Sequence, residues 1–377
     1  MSAVGKHSQP YPWEQRKSKE LFINISDKHH PELPVLSATQ DNGMVYRQDL
    51  DIDIKYDEES LDNYKKVSPS DFVISLRSFQ GGFEMSDKLG ITSPAYTIFN
   101  FKSPNNQNPV FWKFLFKRYD FIESLKRVTF GIRDGKAISF KQFGDTKPSF
   151  PQLKEQQLIA DILSKLDKTI TLHEEQHRQL EQLKKALLQK MFADETGYPA
   201  LRFKGFTEKW EQRKLGETVV NIVAGGDINK AELLSKGKYP VYANALTNNG
   251  IVGYYASQYR IAAPAVTVTG RGDIGIAKAR DINFTPVVRL LAISSQHNNY
   301  FLENLINTHR SFAESTGVPQ ITVPQLSNYK LYFPQKINEE VFIGKLFKKM
   351  DHLTTLHQHK IDNLKRLKRA LLQKMFV

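Results

Sequence analysis

The strongest constraint on this chain is an internal duplication in which each copy ends in a long amphipathic segment. Residues 167–192 and 351–376 align without a gap at an offset of 184 positions, and their last seven residues are identical. Three further landmarks recur in the same order ahead of both segments. Ordered landmarks at so long a period indicate one unit duplicated once rather than a solenoid array. We therefore predict two copies, at residues 13–192 and 210–376.

The upstream landmarks are short motifs. The sequence W-E-Q-R-K at residues 13–17 recurs at 210–214, residues 138–143 resemble 321–326, and a Phe-Pro pair occurs at Phe150 and Phe333. Each Phe-Pro pair stands a few residues ahead of a long segment. The duplication therefore includes the region before each segment as well as the segment itself.

The long segments read as helices. Apolar residues and histidines recur at steps of three or four from Ile159 to Met191 and from Ile343 to Met375, which is the spacing of a helix face. A helix of about 40 residues would be about 60 Å long, a length typical of coiled coils. We predict that the two helices pair in an antiparallel coiled coil, with a domain at either end. The predicted seam contains Leu180, Leu183, Leu187, Leu364, Leu367 and Leu371.

The rest of each copy lacks the long helical periodicity. Short β-favouring runs, such as residues 265–269, lie between Gly, Asn and Asp turns, which favours a compact α+β domain with a curved sheet. The predicted fold class is α+β, with two repeated units that each consist of a domain followed by a long helix. The predicted boundaries are a first domain at 1–150, a central helix at 151–192, a connecting loop at 193–209, a second domain at 210–333 and a C-terminal helix at 334–377.

Composition excludes several classes of protein. The 377 residues include no cysteine, which excludes disulfides, thiolate nucleophiles and cysteine-ligated zinc sites. No apolar run approaches the roughly 20 residues of a membrane helix, and residues 1–9 lack the apolar core of a signal peptide. We therefore expect a cytoplasmic protein. The net charge of +13 favours a polyanionic partner, most often nucleic acid.

Three short motifs match known functional patterns only in part. Residues 270–275 match the G-x-G-x-x-G spacing of dinucleotide-binding loops, but no helical pattern and no suitably placed acidic residue follow. Residues 108–111, Asn-Pro-Val-Phe, only approach a motif of amino-methyltransferases. His173 and His177 have metal-ligand spacing, but the second copy has His357 with Ile361, which favours a coiled-coil seam. We predict no catalytic residue, no metal site and no cofactor in this chain.

Basic and amide side chains near glycines are better candidates. Arg and Lys pair with guanine edges, Asn and Gln pair with adenine edges, and glycine lets the backbone approach a ligand closely. Such residues occur in roughly corresponding places in both copies. The predicted DNA-binding residues are Arg77, Ser78, Gln80, Gly81, Arg133, Lys136, Asn244, Asn248, Arg271, Gly272, Lys278 and Gln320.

At these residues the chain resembles the specificity subunit of a type I restriction-modification enzyme. The resemblance depends on the helix endings at 180–192 and 364–376, the paired W-E-Q-R-K motifs, the P-A-L-R-F-K-G-F sequence at 199–206 and the segment 239–244. It covers nearly the whole chain, although the first copy lacks a counterpart of residues 203–206.

The resemblance implies a non-catalytic subunit that binds double-stranded DNA. Each target-recognition domain would read one half of a split target, and the helices would bind two modification subunits. Those subunits would carry S-adenosylmethionine and methylate adenine, while restriction subunits would use ATP and Mg²⁺ to translocate and cut DNA. Two alternatives remain open from the residues alone: a methyltransferase or nuclease with a duplicated architecture, and a coiled-coil scaffold that binds only proteins.

Overall fold

The structure is a computed structural model that describes residues 13–39, 43–50, 58–75, 82–128, 138–309 and 320–376. By its internal contacts the chain divides into two compact units. Unit 1 comprises residues 1–172 and 362–377, and unit 2 comprises residues 173–361. No helix in the described ranges is long and apolar enough to cross a membrane. The division falls within both long helices, so each unit contains parts of both sequence copies.

Unit 1 contains a four-stranded antiparallel sheet in the order β2-β9-β6-β7. Three two-stranded pairs, β1-β10, β3-β4 and β5-β8, accompany it. The strands are β1 Glu14–Gln15, β2 Phe22–Ile25, β3 Leu36–Thr39, β4 Gly43–Tyr46, β5 Lys65–Val67, β6 Phe72–Ile74, β7 Phe83–Met85, β8 Gly90–Thr92, β9 Thr97–Phe101 and β10 Ser149–Phe150. The helices are α1 Ser18–Leu21, α2 Pro109–Phe116, α3 Tyr119–Val128, α4 Phe140–Gly144 and α5 Leu153–Met191.

Unit 2 repeats this plan. Its four-stranded antiparallel sheet has the order β12-β18-β15-β16, beside a mixed sheet β14-β13-β17 and the pair β11-β19. The strands are β11 Glu211–Lys214, β12 Asn221–Ala224, β13 Tyr239–Tyr242, β14 Ile251–Tyr255, β15 Ala265–Thr269, β16 Ala277–Arg280, β17 Thr285–Pro286, β18 Leu290–Ser294 and β19 Lys330–Phe333. The helices are α6 Leu215–Thr218, α7 Asn299–Thr308, α8 Val323–Ser327 and α9 Ile337–Met375. The predicted α+β class is confirmed.

The duplicated motifs have matching structural roles. The W-E-Q-R-K segments form β1 and β11, which pair with the strands that contain the two Phe-Pro landmarks. Ser139 and Thr322 begin α4 and α8 with the same capping box, in which a Gln three residues later bonds back to the cap. The repeated sequence thus encodes the frame that carries each sheet.

The core of unit 1 is rich in aromatic side chains. Phe22, Phe72, Phe99, Trp112 and Phe116 are completely buried between the sheet and α2. Several of their rings meet edge to face, as Phe22 and Phe99 do at 5.2 Å and 90°, a geometry that adds to the gain from area burial. The core of unit 2 uses more aliphatic residues around Trp210, Phe301 and Phe347.

Each long helix contributes to both units. Residues 153–172 of α5 and 362–375 of α9 belong to unit 1, whereas 173–191 and 337–361 belong to unit 2. Within unit 2, His173 contacts His357 and Lys184 contacts Asp351, so the two segments run antiparallel. Within unit 1, Lys368 of α9 pairs with Asp167 of α5, 2.5 Å apart. The predicted pairing of the helices is confirmed within the units.

The buried faces correct the predicted seam. Leu183 and Leu367 are 52% and 49% exposed, so neither lies in a buried interface. Counted in heptad steps from His173, the position that faces the other helix falls on residue 184 and not on residue 183. Lys184 and its counterpart Lys368 are accordingly partly buried. Leu180, Leu187, Leu364 and Leu371 are half-buried. Hydropathy predicts that Leu183 and Leu367 are the buried residues, but Lys184 and Lys368 take this place because each pairs with an aspartate on the other helix.

Candidate functional site

An open cleft of about 460 Å³ lies where the central strand of unit 2 ends. Its walls come from three loops and are formed by Asn244, Arg271, Gly272, Val288 and Arg289. Every residue of β15 is buried, so the strand holds the loop that follows it on a rigid support. The cleft therefore gathers two of the predicted Gly-Arg-Gly residues and one predicted Asn around a single concave surface.

Asn244 connects the three loops. Its side-chain Oδ1 accepts a hydrogen bond from the Gly270 backbone N–H at 2.8 Å, and its Nδ2 donates to the Val288 carbonyl at 3.1 Å. A Cβ atom on Gly270 would lie 2.3 Å from the Arg289 carbonyl oxygen, so only glycine fits there. These two bonds tie the three loops of the cleft together, and the amide of Asn244 keeps one further N–H and one further lone pair for a ligand.

The two arginines supply the charge of the cleft. Arg271 is exposed and Arg289 is half-buried, and neither guanidinium is in an ion pair with any residue in the described ranges. Arg271 lies in a backbone bridge with Gln320, which is also exposed. Two guanidinium groups that have no ion-pair partner among the described residues lie beside a glycine turn, and such a surface suits a phosphate or a guanine edge.

Arg289 is a candidate that the sequence did not reveal. Its backbone has a φ of +71°, a left-handed conformation that is uncommon for residues other than glycine and frequent at functional sites. The preceding residues, Val287 and Val288, resemble the start of an ordinary strand. No sequence signal marks the left-handed turn, because it arises from the contact with the Gly270 loop.

Asn248 belongs to a separate turn beside this cleft. Asn248 and Asn249 have φ values of +48° and +53°, and the Asn248 side chain donates to the Ile251 carbonyl at 3.0 Å. The Arg280 guanidinium lies 3.7 Å from the Tyr242 ring centroid and donates to the Asn249 carbonyl. Burial lowers the pKa of Arg280. The turn is thus held from below by a buried arginine, and Asn248 itself is exposed on the surface.

Lys278 has a structural partner. Its Nζ lies 3.2 Å from Oε1 of Glu303, whose side chain is only 4% exposed. The other carboxylate oxygen accepts the backbone N–H of Ala279 at 3.1 Å. The Lys278 ammonium group thus helps to neutralise a buried carboxylate, while its side chain stays 43% exposed. Its contact with DNA remains a prediction.

The same strand-to-helix contact in unit 1 carries the opposite charges. Glu84 of β7 is 1% exposed and lies 2.8 Å from the ammonium group of Lys117, at the end of α2. Burial raises the pKa of Glu84, although Lys117 opposes this. In each unit, therefore, a lysine neutralises a buried carboxylate where a strand of the sheet meets a helix.

The six candidates of the first copy, Arg77, Ser78, Gln80, Gly81, Arg133 and Lys136, lie outside the described residues. The residues on either side of the segment 76–81 are described. The Ser75 N–H donates to the Gly82 carbonyl at 2.8 Å, which closes the connection between β6 and β7. In unit 2 the corresponding connection, between β15 and β16, carries Arg271 and Gly272. The prediction for the first copy remains a prediction.

The motifs that were set aside have structural explanations. Asn108 caps α2 through a hydrogen bond from the Phe111 N–H at 3.0 Å, and Pro109 occupies the first turn. The G-x-G-x-x-G segment leads into strand β16 rather than a helix, which does not fit a dinucleotide site. Among the described residues, no group of three or more His, Asp or Glu side chains is arranged to hold a metal ion.

A family model described as "Type I restriction modification DNA specificity domain" matches residues 11–182 and, a second time, residues 207–366. The chain belongs to this family. Each match covers one α+β domain and most of the long helix that follows it, so the chain carries two specificity domains. The resemblance inferred from the helix endings and the paired W-E-Q-R-K motifs is confirmed.

Individual relatives agree with this assignment. The chain is 27% identical over 204 residues to a putative type I specificity subunit of Mycoplasma pneumoniae, with 52% of this chain and 53% of the relative aligned. It is 24% identical over 269 residues to the specificity subunit of the type I restriction enzyme MjaVIII of Methanocaldococcus jannaschii, with 62% of each chain aligned. The matched regions thus span between half and two thirds of these specificity subunits.

A solved structure shows the same fold. The S subunit of a type I restriction-modification system from M. genitalium superposes with a TM-score of 0.68 at 16% sequence identity, over 99% of this chain and 98% of that chain. At this level of identity the likeness is one of fold alone. Two specificity domains, each with a four-stranded sheet and a share of two long helices, therefore define the architecture of this family member.

Proposed function

We propose that this chain is the sequence-specific DNA-recognition subunit of a type I restriction-modification complex, acting in the cytoplasm. The observation that supports this most directly is the presence of two specificity domains in one chain. Each domain would read one half of a bipartite target. The chain itself would be non-catalytic and would hold no cofactor. Methylation with S-adenosylmethionine, and translocation and cleavage with ATP and Mg²⁺, would belong to other subunits.

In unit 2, the arginine cleft is the proposed base-reading surface. Arg271 and Arg289 can each donate two parallel hydrogen bonds to O6 and N7 of guanine in the major groove. Gly270 and Gly272 let the backbone come close to the duplex, while Asn244 fixes the loops. The corresponding surface of unit 1 would be the connection between β6 and β7 together with the segment 129–136, which contain its six candidate residues.

Both units expose the same apolar positions of the long helices. Unit 1 exposes Leu158, Leu172 and Leu367, and unit 2 exposes their counterparts at the 184-residue offset, Phe342, Leu356 and Leu183. Exposed leucines at matched positions are typical of a docking surface used twice. We propose that each unit binds one copy of the modification subunit, so that two copies join the complex, and that restriction subunits add to it.

The experiment that tests DNA recognition starts from a pool of random duplexes. Duplexes bound by the chain together with its modification subunits are selected and sequenced, and the affinity for the recovered target is measured by fluorescence anisotropy at several salt concentrations. We expect a target of two short constant blocks separated by a variable spacer. Affinity should fall steeply with salt because phosphate contacts release counterions. A single continuous target, or no selection at all, would contradict the proposal.

A matched pair of variants assigns the cleft to one half of the target. Arg271→Ala should weaken binding by about 1–3 kcal/mol and relax the sequence at a position of one block only. The control is Arg213→Ala, because Arg213 is also exposed but pairs with Glu211 on β11, away from the cleft loops. Equal effects of the two variants, or relaxation in both blocks, would show that the cleft is not the reading surface.

The alternative enzyme reading makes a different prediction. A methyltransferase must bind S-adenosylmethionine, so calorimetry of the isolated chain with this cofactor should give a clear heat of binding if the chain is an enzyme. We expect none, with the purified modification subunit as the positive control.

A further inference from the structure

Each unit contains a cleft beside the end of a long helix. In unit 2 the cleft is a single cavity of about 580 Å³. In unit 1 two adjoining cavities, of about 720 and 210 Å³, share Arg118 and Asp120 in their walls. The helix ends contribute the same three positions to both clefts: Arg369, Leu372 and Gln373 in unit 1, and their counterparts Lys185, Leu188 and Gln189 in unit 2. We call these the helix-end clefts.

A second part of the wall is also duplicated. Gln15 and Gln212, the glutamines of the two W-E-Q-R-K strands, line the clefts of unit 1 and unit 2 respectively. Lys147 and Lys330 do the same, each three residues before the phenylalanine of a Phe-Pro pair. In each cleft the helix end comes from one sequence copy and the strand from the other. The two clefts are therefore assembled from the same duplicated parts.

Folding alone does not account for the glutamines of these clefts. The leucines and phenylalanines of the identical helix endings pack on the two cores, which explains why both copies have them. Gln15, Gln212, Gln189 and Gln373 are all exposed, and substitutions of exposed residues usually change stability little. Exposed glutamines that are identical in both copies and line matching clefts indicate a ligand that both clefts share.

The free charge of the unit 1 cleft is positive. Its wall carboxylates each pair with a lysine or an arginine, and they belong to Glu84, Asp87, Asp120 and Asp167. Lys147 and Arg369 are in no ion pair with any residue in the described ranges. Leu372 and Phe376 add apolar surface to the walls. Such a cleft complements a ligand that is partly apolar and carries a carboxylate.

The unit 2 cleft keeps the matched cations. Lys185 and Lys330 likewise have no ion-pair partner in the part of the chain that the structure describes. The carboxylates of this cleft belong to Asp194 and Glu195, and Asp194 accepts a hydrogen bond from the Thr196 N–H at 2.9 Å. The two clefts thus share cations, amides and an apolar wall, and the unit 2 cleft is the less positive of the two.

We propose that each helix-end cleft binds a peptide segment of one modification subunit, and that this segment is amphipathic and carries a carboxylate. The inference rests on the proposed function, in which two copies of the modification subunit join the complex. An apolar side chain of the segment packs on Leu372 or Leu188, and its carboxylate pairs with Arg369 or Lys185, three residues earlier on the same helix face. The glutamine amides, which both donate and accept, bond with the main chain of the segment. The apolar wall favours a peptide over a DNA phosphate, which has no apolar group to bury.

The test counts modification subunits on the full chain. The chain is titrated with the purified modification subunit of the same system, and native mass spectrometry gives the number bound. The unaltered chain should bind two. Arg369→Glu should weaken binding at unit 1, and Lys185→Glu at unit 2, by about tenfold or more, because like charges then face each other. At limiting concentration each single variant should hold one copy and the double variant none.

Lys374→Glu and Lys190→Glu are the matched controls. They make the same change of charge at the same two helix ends, about 140° around the helix from the cleft positions, and neither lysine lines a helix-end cleft. All four substituted residues are exposed, so the substitutions leave the cores intact. Both controls should bind two copies.

The outcomes separate this inference from the proposed function. Two copies bound equally well by the unaltered chain and by the charge-reversal variants would overturn the inference and leave the proposed function intact. An equal loss in the controls would show a general effect of charge and would also overturn it. A loss of duplex DNA affinity in the isolated variants, with the number of bound subunits unchanged, would assign the clefts to DNA instead. No binding to the unaltered chain would refute the proposed function and this inference with it.

Discussion

Trp13 and Trp210 hold the same place in the two units but differ in their surroundings. Each indole N–H donates to a glutamate in the first turn of the long helix that follows its domain, Glu155 at 3.1 Å and Glu339 at 3.2 Å. Trp13 is half-buried, whereas Trp210 is 1% exposed. In unit 2 the glutamate also receives two hydrogen bonds from Arg202, at 2.6 and 2.8 Å. The hydrogen bond from tryptophan to glutamate, here called the tryptophan anchor, is common to both units, and in unit 2 an arginine adds two further hydrogen bonds to the glutamate.

The identical helix endings show how the units are assembled. Phe192 ends the first sequence copy but packs on Phe301 in unit 2, with ring centroids 5.6 Å apart. Phe376 ends the second copy but stacks on Phe111 in unit 1, at 5.2 Å. The repeating unit of the sequence and the compact unit of the structure are therefore different, and each core is closed by the other copy's last residues.

Each unit contains a buried carboxylate that a lysine neutralises between a strand and a helix. A buried carboxylate may sit on the strand, as Glu84 does, or on the helix, as Glu303 does, provided that a lysine from the facing element neutralises it. In both units the ion pair joins a strand to a helix, and the carboxylate and the lysine have exchanged elements. Four predictions test how far this equivalence goes.

The tryptophan anchor should give the largest difference between the units. Trp210→Ala removes a fully buried side chain and should cost about 3–5 kcal/mol of stability. Trp13→Ala should cost clearly less because its ring is partly solvated. Hydrogen exchange by mass spectrometry, read on peptides of each unit, measures both effects. Equal losses would mean that the exposure of Trp13 has no energetic consequence.

The helix-start glutamates should differ next. Glu339→Gln leaves the partly buried Arg202 without a counter-ion and should cost about 3 kcal/mol. Glu155→Gln weakens a hydrogen bond from Trp13 and should cost about 1 kcal/mol. Urea unfolding of the two variants gives the comparison. Adding Arg202→Met to Glu339→Gln should recover part of the loss, and failure to do so would assign the cost to Trp210.

The reversed ion pair allows a direct exchange. Lys278→Glu alone places two carboxylates together, whereas Lys278→Glu combined with Glu303→Lys recreates the order found in unit 1. The double change should recover about 1–2 kcal/mol relative to the sum of the single changes, a modest value because Lys278 is 43% exposed. A double-mutant cycle measures this coupling. A coupling near zero would refute the equivalence of the two orders.

The smallest effect concerns pH in unit 2. The lowered pKa of His173 means that the unfolded chain takes up a proton at a higher pH than the folded chain. Stability should therefore be complete above the ordinary histidine pKa, near 6.5, and should fall as pH decreases through and below that value. Thermal unfolding of the chain at pH 5 and pH 7.5 tests this. His173→Leu should reduce the pH dependence, and an unchanged slope would exclude His173 as its source.

Much of the frame was predictable from the sequence. The steps of three and four along the long segments, without Pro or Gly from 153 to 191, predict α5 within two residues of its observed ends. The recurrence of W-E-Q-R-K, and of residues 138–143 at 321–326, indicated which segments correspond, and these segments form β1 with β11 and α4 with α8. Gly344, near the start of α9, could not be explained from local pattern, because its reason is the side chain of Asn298, whose Oδ1 would lie 2.0 Å from any added Cβ.

The candidate site was only partly predictable. Arg271 and Gly272 were found because a glycine turn that carries arginine has a recognisable composition. Arg289 was missed, since a left-handed backbone at an arginine leaves no local signal. The ion pair of Lys278 with Glu303 was not predictable, because an exposed lysine and a lysine paired with a buried glutamate look alike in sequence.

Periodicity and recurrence along the chain are enough to predict the duplication, the two long helices and the α+β class. Three further features follow from long-range packing: each core is completed by the other copy's helix end, Lys184 and not Leu183 faces the partner helix, and His173 meets His357. Those outcomes depend on which surfaces come together between residues far apart in the chain, from 109 positions for Phe192 and Phe301 to 265 for Phe111 and Phe376. Contacts at such separations are set by packing and burial of the whole assembly, and local pattern carries no record of them.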